Sequence, residues 1–290
     1  MIQDWYQAYT DKVNSAMAEY FDKRYVSISS PRENEFQEAI RYAVEWEGKR
    51  IRPILAMIMY EEVMGLPGDA ILPYLLGLEF IHAYSLVHDD LPCMDNDEFR
   101  RGKLTVWKKY GEATALLVGD ALQPMGLEAL SYARSPEVMT EITKAIGDMG
   151  MVRGQIRDVL ADHMQMDQRE IIRLHDEKTG RLIWASLLTW AILWGMQDVA
   201  TLERFRWFGV LLGRAFQVRD DILDFEWDEA TLGKTVGKDV AKGKGIVAFM
   251  GIMKAQNLLA ELEFALLDIA SSFQTAKFSD IVEYITRREK

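Results

Sequence analysis

The sequence predicts an all-α protein, a multi-helix bundle that forms a single domain over residues 1–290. Apolar residues recur at helical spacing through most of the chain, and no segment alternates apolar and polar residues clearly enough to predict a strand. With only 7 prolines and 20 glycines in 290 residues, few positions interrupt a helix. Several predicted helices are apolar on most sides, so we expect the bundle to have a buried centre.

The first half of the chain predicts five helices separated by turn-forming segments. The segment "SISSPRE" separates the first two, with Ser30 as the N-cap of the second helix and Pro31 in its first turn. The segments "GLPGD" and "DNDEFRRGK" flank a long apolar helix. The five helices are expected near residues 3–23, 34–47, 51–63, 70–91 and 113–131.

The second half of the chain predicts six more helices. The segment "SPEV" precedes the first of them, and "DEATLGKTVGKDVAKGKG" is a long predicted loop. No stretch has the composition of a linker, and no repeat with a period of about 20–50 residues is visible, which favours one domain. The six helices are expected near residues 137–147, 169–176, 179–195, 201–223, 246–271 and 278–288.

The composition disfavours several classes of protein. A formal net charge of −11 makes nucleic acid a poor partner. The single cysteine, Cys93, excludes an internal disulfide and fits a reducing compartment. The N-terminus lacks the basic region and apolar core of a signal peptide. The apolar run Leu182–Met196 has 15 residues, too few to span a bilayer comfortably, so no stable membrane insertion is expected.

The stretch "SLVHDDLPCMDNDEFRRG" places five acidic residues directly after an apolar run. Asp89 and Asp95 are six residues apart, which corresponds to about 240° on a straight helix. Pro92 disfavours helical geometry at Leu91. We therefore expect the helix to end or bulge there, and the chain to fold Asp95 back towards Asp89.

A second acidic cluster lies in "FQVRDDILDFEWDEATLGKTVGKD". Asp220 and Asp224 share a helix face, and Gln217 precedes them on that face. Asp221 lies about 100° round the helix, within reach of the same ion. Either cluster alone is typical of a solvated helix end. Two clusters within apolar helices favour one site for a hard divalent cation such as Mg²⁺, which prefers oxygen ligands and commonly bridges to phosphate.

Basic residues accompany the two acidic clusters. Arginine binds phosphate oxygens through two nitrogens and lysine acts as a point charge. Each residue alone is typical of a solvated surface charge, but the set predicts two anionic groups, one held by metal and one by cations. The basic residues are Lys49, Arg50, Arg52, Arg100, Arg101, Lys178, Lys234 and Lys244.

Four segments, "GKRIRP", "HAYSLVHDDLPCMDNDEFRRG", "HDEKTG" and "FQVRDDILD…LGK", together resemble the short-chain trans-isoprenyl diphosphate synthases. The farnesyl and geranylgeranyl diphosphate synthases are the most similar members, and the match runs from about Gly48 to Lys244. The resemblance implies an all-α fold of the isoprenoid synthase type around a deep central cavity. It also implies a cytoplasmic homodimer that joins an allylic diphosphate to isopentenyl diphosphate.

The resemblance implies a role for each matching residue. Mg²⁺ is the expected cofactor, with three ions per active site and Mn²⁺ as a substitute. Thr179 and Gln217 would line the reaction centre, next to the catalytic Lys178. The metal ligands would be Asp89, Asp90, Asp95, Asp220, Asp221 and Asp224. The allylic diphosphate would contact Arg100, Lys178, Lys234 and Lys244, and isopentenyl diphosphate would contact Lys49, Arg52, His82 and Arg101.

The expected chemistry agrees with these roles. Ionising a C–O bond to a carbocation and diphosphate requires neutralisation of the leaving group's charge, which metal ions and fixed cations supply. The cavity must exclude water, which would quench the cation. In the family the released diphosphate is the usual acceptor of the final proton, so no catalytic triad or reactive cysteine is required.

Three positions depart from the usual family pattern. Glu47 and Arg153 each stand where glycine is common. The segment "GKGIVAF" lacks the Ser or Thr that usually follows the last lysine of the pattern, Lys244. None of the three departures removes a metal ligand.

The residues just before the first aspartates bear on product length. Tyr84 and Ser85 lie five and four residues before Asp89, and five residues of helix rise about 7.5 Å. A ring at Tyr84 would close a short cavity. With the two extra residues between Asp90 and Asp95, it resembles bacterial farnesyl diphosphate synthases, so a fifteen-carbon product is expected. Alternatively, Tyr84 only packs in the core and the product is geranylgeranyl diphosphate.

Two other functions stay open beside the synthase. A class I terpene cyclase shares the fold and the first motif, but it normally replaces the second DDxxD motif, which is intact here as "DDILD". A catalytically silent subunit that adjusts the product of a partner synthase tends to lose motif aspartates or arginines, and both clusters are intact.

Overall fold

The computed structural model describes residues 4–25, 30–45, 48–161, 166–193, 195–196, 198–226 and 245–288. Contacts divide the chain into two compact units, each discontinuous in sequence. The first unit contains the chain from α1 up to Met57, together with Pro67–Arg134. The second unit contains Ile58–Leu66 and the chain from Ser135 onwards. The single domain over residues 1–290 stays a prediction.

Helices make up most of the first unit, as the sequence predicts. Ser30 caps α2 as expected, because its Oγ accepts a hydrogen bond from the backbone N–H of Glu33 at 3.3 Å. In chain order the elements are α1 (Asp4–Arg24), α2 (Pro31–Val44), α3 (Ile51–Ile58), α4 (Leu72–Asp89), the strands β1 (Phe99–Arg100) and β2 (Lys103–Leu104), α5 (Val106–Tyr110) and α6 (Glu112–Leu130), with 3₁₀ turns at Gly68–Ile71 and Ser131–Ala133.

Helix α4 is the central helix of the first unit. It packs along α6, and the two helices approach closely where a Cβ added at Gly77 would lie 2.9 Å from the carbonyl oxygen of Gly126. Within the described residues, Gly68–Asp89 is the stretch long and apolar enough to cross a membrane, but 67% of its most apolar window is buried, as in a core helix. Helix α4 is therefore a core helix, and several predicted site residues lie near its end.

The all-α fold of the described residues includes one short β-hairpin, which the sequence does not predict. Strands β1 and β2 pair in an antiparallel hairpin. Arg101 and Gly102 form its turn, with φ angles of 53° and 74°. Positive φ at both central residues is the geometry of a type I′ turn, which matches the twist of a hairpin. Each strand has two residues, too few to produce a two-residue period in the sequence.

The second unit is helical among the residues described. Five-residue π-helical turns at Met59–Val63 and Asp176–Gly180 continue α3 and join α9 to α10. The helices are α7 (Pro136–Ile146), α8 (Met151–Ala161), α9 (Gln168–His175), α10 (Arg181–Leu193), α11 (Val199–Glu226), α12 (Gly245–Met250), α13 (Ile252–Ser271) and α14 (Lys277–Thr286).

Helix α11 is fixed in the second unit by stacked aromatic rings. The ring of Phe205 stacks on that of Phe273, with centroids 4.6 Å apart and an interplanar angle of 12°. Phe208 meets the edge of Phe278 at 5.3 Å. Such pairs add stabilisation beyond the burial of apolar area. Phe205 and Phe208 lie in the first half of α11, so these contacts fix that half against Phe273, which follows α13, and against Phe278 in α14.

Several predicted boundaries differ from the observed ones. The sequence predicts one helix over 246–271, but Gly251, with φ of 82°, separates α12 from α13. Helix α2 ends at Val44 rather than near residue 47. Helices α5 and α8 are not predicted. Helix α8 escapes prediction because apolar residues such as Val152 and Ile156 are exposed, while the side facing the protein includes Gly154.

Candidate active site

The predicted site residues divide between the two units. Lys234, Lys244 and the departure at Glu47 lie outside the described residues. The first unit contains Lys49, Arg52, His82, Tyr84, Ser85, Asp89, Asp90, Asp95, Arg100 and Arg101, and the second contains Lys178, Thr179, Gln217, Asp220, Asp221 and Asp224.

The first aspartate motif folds back on itself as predicted. Helix α4 ends at Asp89, and the backbone N–H of Asp95 donates to the carbonyl oxygen of Asp89 at 2.9 Å. Asp89 and Asp90 are buried, and Asp95 is half-buried. Because the helix stops before Pro92, residues six apart in sequence become neighbours in space.

Arg100 binds Asp90 from the hairpin. Its Nη2 lies 2.6 Å from Oδ1 of Asp90, and its Nε lies 3.0 Å from Oδ2. Burial raises the pKa of Asp90, Arg100 counteracts that effect, and the charges of Asp97 and Asp95 raise the pKa further. The carboxylates are thus close enough to repel one another, and a cation among them would relieve that repulsion.

The donor set suits Mg²⁺, which prefers carboxylate oxygens. Yet within the described residues no three carboxylate, imidazole or thiol groups converge into a ready-made metal site. Asp90 pairs with Arg100 instead, and Asp220 pairs with Arg288 at 2.5 Å. Coordination of a metal would therefore require these carboxylates to share or exchange their arginine partners.

Cationic side chains surround His82 on α4. Burial, followed by the charges of four arginines, lowers its pKa well below the ordinary value, so the imidazole is neutral in the folded protein. The four arginines, in order of their effect, are Arg52, Arg101, Arg100 and Arg50. Such a concentration of positive charge around a neutral imidazole is suited to an anion with several oxygens.

Arg52 and Arg101 face the same part of the first unit. Burial and the charge of Arg101 lower the pKa of Arg52 to about 10, although Glu79 acts in the opposite direction. The Nε of Arg52 is buried and makes no hydrogen bond to any residue that the structure describes. A Cβ added at Gly48 would lie 2.6 Å from Nη1 of Arg101. Glycine at this position therefore leaves room for the guanidinium.

The basic loop is also fixed at Lys49. The hydroxyl of Tyr6 in α1 donates a hydrogen bond to the backbone carbonyl of Lys49. The side chain of Lys49 is half-buried. The loop before α3 is thus fixed to α1, and the four residues predicted to hold isopentenyl diphosphate, Lys49, Arg52, His82 and Arg101, all lie in the first unit.

Tyr84 lies buried at the end of α4. Its ring meets the edge of His88, with centroids 6.0 Å apart and an interplanar angle of 77°. Burial, with a contribution from Asp89, raises the pKa of Tyr84 to about 12. Its hydroxyl oxygen is buried and makes no hydrogen bond within the described part of the chain. The hydroxyl of the neighbouring Ser85 donates to the carbonyl oxygen of His82 at 2.8 Å.

A chain of polar contacts joins Thr179, Gln217 and Asp221 in the second unit. The hydroxyl of Thr179 donates to Oε1 of Gln217 at 3.3 Å, and Nε2 of Gln217 donates to Oδ1 of Asp221 at 3.4 Å. The sequence groups Gln217 with Asp220 and Asp224 on one helix face, and the structure adds a hydrogen bond to Asp221. The partner of Gln217 is Asp221, one helical turn further on, because the side chain reaches along the helix to the residue four positions later.

The three aspartates of α11 differ in their surroundings. Asp221 also accepts a hydrogen bond from the backbone N–H of Ile246 at 2.7 Å, at the start of α12. His175 lies 3.8 Å from the same carboxylate, and its pKa is lowered to about 3 by burial and by Arg214, so it is neutral. Asp224 is buried. Asp220 is the more exposed member, and its partner Arg288 was not identified from the sequence.

Lys178 and Thr179 lie in the π-helical turn between α9 and α10, a geometry often found at functional sites. Lys178 Nζ binds Asp158 Oδ2 at 2.5 Å. Arg153 stands where the family commonly has glycine. Its Nη2 lies 2.9 Å from Oε1 of Glu177 in this turn, so this chain has an ion pair at that position. The sequence does not predict Asp158 and Glu177 as the partners of Lys178 and Arg153, because a single acidic residue on a helix carries no distinctive sequence signal.

The family model for polyprenyl synthetase matches residues 33–284. The chain is 37% identical over 268 residues to a farnesyl diphosphate synthase of Micrococcus luteus, which covers 90% of this chain and 91% of that protein. It is 38% identical over 270 residues to the heterodimeric geranylgeranyl pyrophosphate synthase large subunit 1 of Arabidopsis thaliana, covering 87% and 72% of the two chains.

A solved structure of a geranyltransferase from Helicobacter pylori, complexed with magnesium and isoprenyl diphosphate, superposes with a TM-score of 0.79. It is 29% identical and covers 99% of this chain and 95% of that one. The all-α fold is confirmed by this likeness, since the fold extends over nearly the whole chain.

Proposed function

The chain belongs to the polyprenyl synthetase family, and on that premise we propose that it is a Mg²⁺-dependent trans-prenyltransferase. It condenses isopentenyl diphosphate with dimethylallyl diphosphate and then with geranyl diphosphate, and the product is farnesyl diphosphate. This product is supported by the likeness to the relative in Micrococcus luteus, which is named a farnesyl diphosphate synthase and matches 90% of this chain.

The observation that carries the proposal is the group of arginines around His82. Arg52, His82 and Arg101 lie together in one compact unit, with a buried Arg52 nitrogen that has no hydrogen-bond partner among the described residues. A diphosphate carries several oxygens able to accept these donors. We assign isopentenyl diphosphate to this group, with Lys49 as the fourth ligand.

The acidic clusters are assigned to the allylic diphosphate. Its phosphate oxygens also bind Arg100 and Lys178, together with Lys234 and Lys244. Mg²⁺, three ions per active site with Mn²⁺ as a substitute, supplies neutralisation of the charge that develops on the leaving diphosphate. The proposed ligands are Asp89, Asp90, Asp95, Asp220, Asp221 and Asp224.

The reaction breaks the allylic C–O bond and forms a C–C bond to isopentenyl diphosphate. The electron pair of the broken bond leaves with the diphosphate, and the double bond of isopentenyl diphosphate supplies the pair for the new bond. The proton lost from the resulting cation goes to the released diphosphate. Thr179 and Gln217 present oxygen atoms towards the developing cation, and buried apolar walls exclude water that would quench it.

The length of the product is assigned to Tyr84. Its buried ring, one turn before Asp89, would stop the growing chain at fifteen carbons. A geranylgeranyl product is the second candidate, favoured by the likeness to the Arabidopsis thaliana subunit. That relative is named as a subunit of a heterodimer, so a heterodimer is the alternative to the homodimer that we propose.

The remaining proposals concern organisation and location. We propose one domain over residues 1–290, supported by a family model that extends through both compact units. We propose a cytoplasmic protein without nucleic-acid partners and without stable membrane insertion, supported by the net charge of −11 and by the burial of the apolar helix α4.

Product analysis tests the proposal directly. The purified chain is incubated with Mg²⁺, isopentenyl diphosphate and dimethylallyl diphosphate, and the chain length of the product is measured. A fifteen-carbon product is expected, and chelation with EDTA should abolish it. A twenty-carbon product would replace the farnesyl assignment. No product from either dimethylallyl or geranyl diphosphate would overturn the enzymatic function and favour a silent subunit.

A further inference from the structure

Arg50 lies between two proposed substrate ligands, but its side chain turns into the interior of the first unit. Its Nη1 donates to Glu79 Oε2 at 2.6 Å, and its Nε donates to Asn14 Oδ1 at 2.9 Å. Its Nη2 donates to the carbonyl oxygen of Val44 at 3.0 Å. Each of the three guanidinium nitrogens thus binds protein. The side chains of Arg50 and Glu79 are each 5% exposed, so the pair is buried.

The backbone of Arg50 has an unusual conformation. Its φ is 45°, in the left-handed region that residues with a Cβ rarely adopt. Its carbonyl oxygen accepts a hydrogen bond from the N–H of Ile54 at 3.0 Å, so the first hydrogen bond of α3 begins at this residue. Three side-chain contacts hold a backbone conformation that is unfavourable by itself. The directions of Lys49, in the loop, and of Arg52, in the first turn of α3, depend on that conformation.

Glu79 connects this loop to the helix that carries His82. The two residues are three apart on α4 and therefore share a face of that helix. The ion pair Arg50–Glu79 joins the start of α3 to α4 one helical turn before His82. It consequently sets the separation between Arg52, on the first turn of α3, and the imidazole.

We propose that Arg50 and Glu79 are positioning residues for isopentenyl diphosphate. They do not touch the substrate; they hold Lys49 and Arg52 in the orientation in which these side chains bind its diphosphate together with His82. This inference rests on the proposed assignment of that substrate to the group around His82. An arginine is required at position 50 because lysine, with one nitrogen, cannot bind Glu79, Asn14 and the Val44 carbonyl in the same directions.

Isothermal titration with isopentenyl diphosphate alone tests the proposal, since no reaction occurs without an allylic partner. The variant is Arg50→Lys, which keeps the charge beside Glu79. Arg41→Lys is the matched control, because Arg41 also makes two ion pairs at 2.6 Å, with Asp22 and Glu45, but on the surface of α2. We expect Arg50→Lys to weaken binding about tenfold, as for other residues that orient a ligand's direct contacts, and the control to bind normally.

The steady-state kinetics of the same variants separate positioning from general damage. The KM for isopentenyl diphosphate should rise with the dissociation constant, while the KM for dimethylallyl diphosphate changes less than about twofold. Unchanged binding of isopentenyl diphosphate would overturn the inference. Equal losses for both substrates would also overturn it, because they indicate a merely structural role.

A second variant covers the case in which Arg50→Lys does not fold. Arg50→Gly with Glu79→Gln removes both buried charges and supplies a residue that adopts positive φ without strain. It should fold and should show the same selective loss of isopentenyl diphosphate binding. If it binds this substrate as the wild type does, the inference is wrong. If the wild type itself forms no prenyl product, the proposed function fails independently of either variant.

Discussion

The guanidinium of Arg100 contacts both carboxylate oxygens of Asp90, with its Nε 2.9 Å from Oδ1 and 3.0 Å from Oδ2. The carboxylate is 1% exposed and the guanidinium 23% exposed. One proposed phosphate ligand therefore holds one proposed metal ligand before any substrate binds. In the absence of a metal ion, Arg100 compensates the buried negative charge of Asp90.

Replacing Arg100 with glutamine should destabilise the protein by about 3 kcal/mol, because it leaves the buried charge of Asp90 without its partner. Excess Mg²⁺ should restore part of the loss, since the ion can compensate the same carboxylate. Urea unfolding of Arg100→Gln in EDTA and in Mg²⁺ measures both effects. The double variant with Asp90→Asn is the control and should gain less from Mg²⁺. A loss of stability that is equal in EDTA and in Mg²⁺ would contradict this prediction.

Replacing Tyr84 with alanine should lengthen the product, because removing the ring opens space below the first aspartates. Chromatography of the products after removal of the diphosphate would show a shift from fifteen carbons to twenty or more. Tyr84→Phe is the matched control. It keeps the ring and removes a buried hydroxyl that has no hydrogen-bond partner among the described residues, so its product should be unchanged. An unchanged product from Tyr84→Ala at normal turnover would rule out Tyr84 as the residue that limits length.

Replacing Thr179 with valine should lower kcat about tenfold, which corresponds to the loss of about 1.4 kcal/mol of transition-state stabilisation. The change removes the hydroxyl that binds Gln217 and keeps the shape of the side chain. Both KM values should change little, since the proposed role begins only as the cation develops. Thr179→Ser retains the hydroxyl and should keep most of the activity. Equal activity of the valine and serine variants would contradict the role.

The stability of the protein should fall as the pH is lowered from about 7 to 5, in part because of His82. The pKa of His82 is lowered in the folded state, so below about pH 6.5 the unfolded chain binds a proton that the folded chain does not. Stability is therefore lost as the pH falls through the ordinary histidine pKa towards the folded one. The contribution is at most about 2 kcal/mol over this interval.

Urea unfolding at several pH values, for the wild type and His82→Asn, isolates this contribution. Asparagine does not titrate, so the variant should lose less stability on acidification. The charges that face His82 are those of Arg50, Arg52, Arg100 and Arg101, and none of these arginines titrates between pH 5 and 7. Parallel curves for the two proteins would show that the pKa of His82 is the same in the folded and unfolded states, which would contradict this prediction.

The helical architecture and the first aspartate motif could be predicted from the sequence, because both depend on local signals. Long apolar helices carry a strong period, and Pro92 predicts the end of α4 and the return of Asp95. The hairpin could not be predicted in this way. Its strands have two residues each, and its turn places Arg101, rather than asparagine or aspartate, at the first position with positive φ.

The partners of the site residues could not be predicted, because they depend on tertiary packing. Arg50 appears in the sequence as one of three basic residues around the start of α3, and only the structure separates it from Lys49 and Arg52 by the direction of its side chain. Similarly, Arg288 reaches Asp220 from a position 68 residues away in the chain. Contacts over such distances leave no periodic trace in a single sequence.

The hairpin turn has a consequence for the reaction it is proposed to serve. Arg100 and Arg101 are consecutive, yet the first reaches Asp90 and the second lies against Gly48. In the proposed roles, these two adjacent residues bind two different substrates. The geometry of the turn therefore fixes the distance between the two carbons that must join. Inserting one residue beside Gly102 would alter that gap while every contacting side chain remained in the sequence.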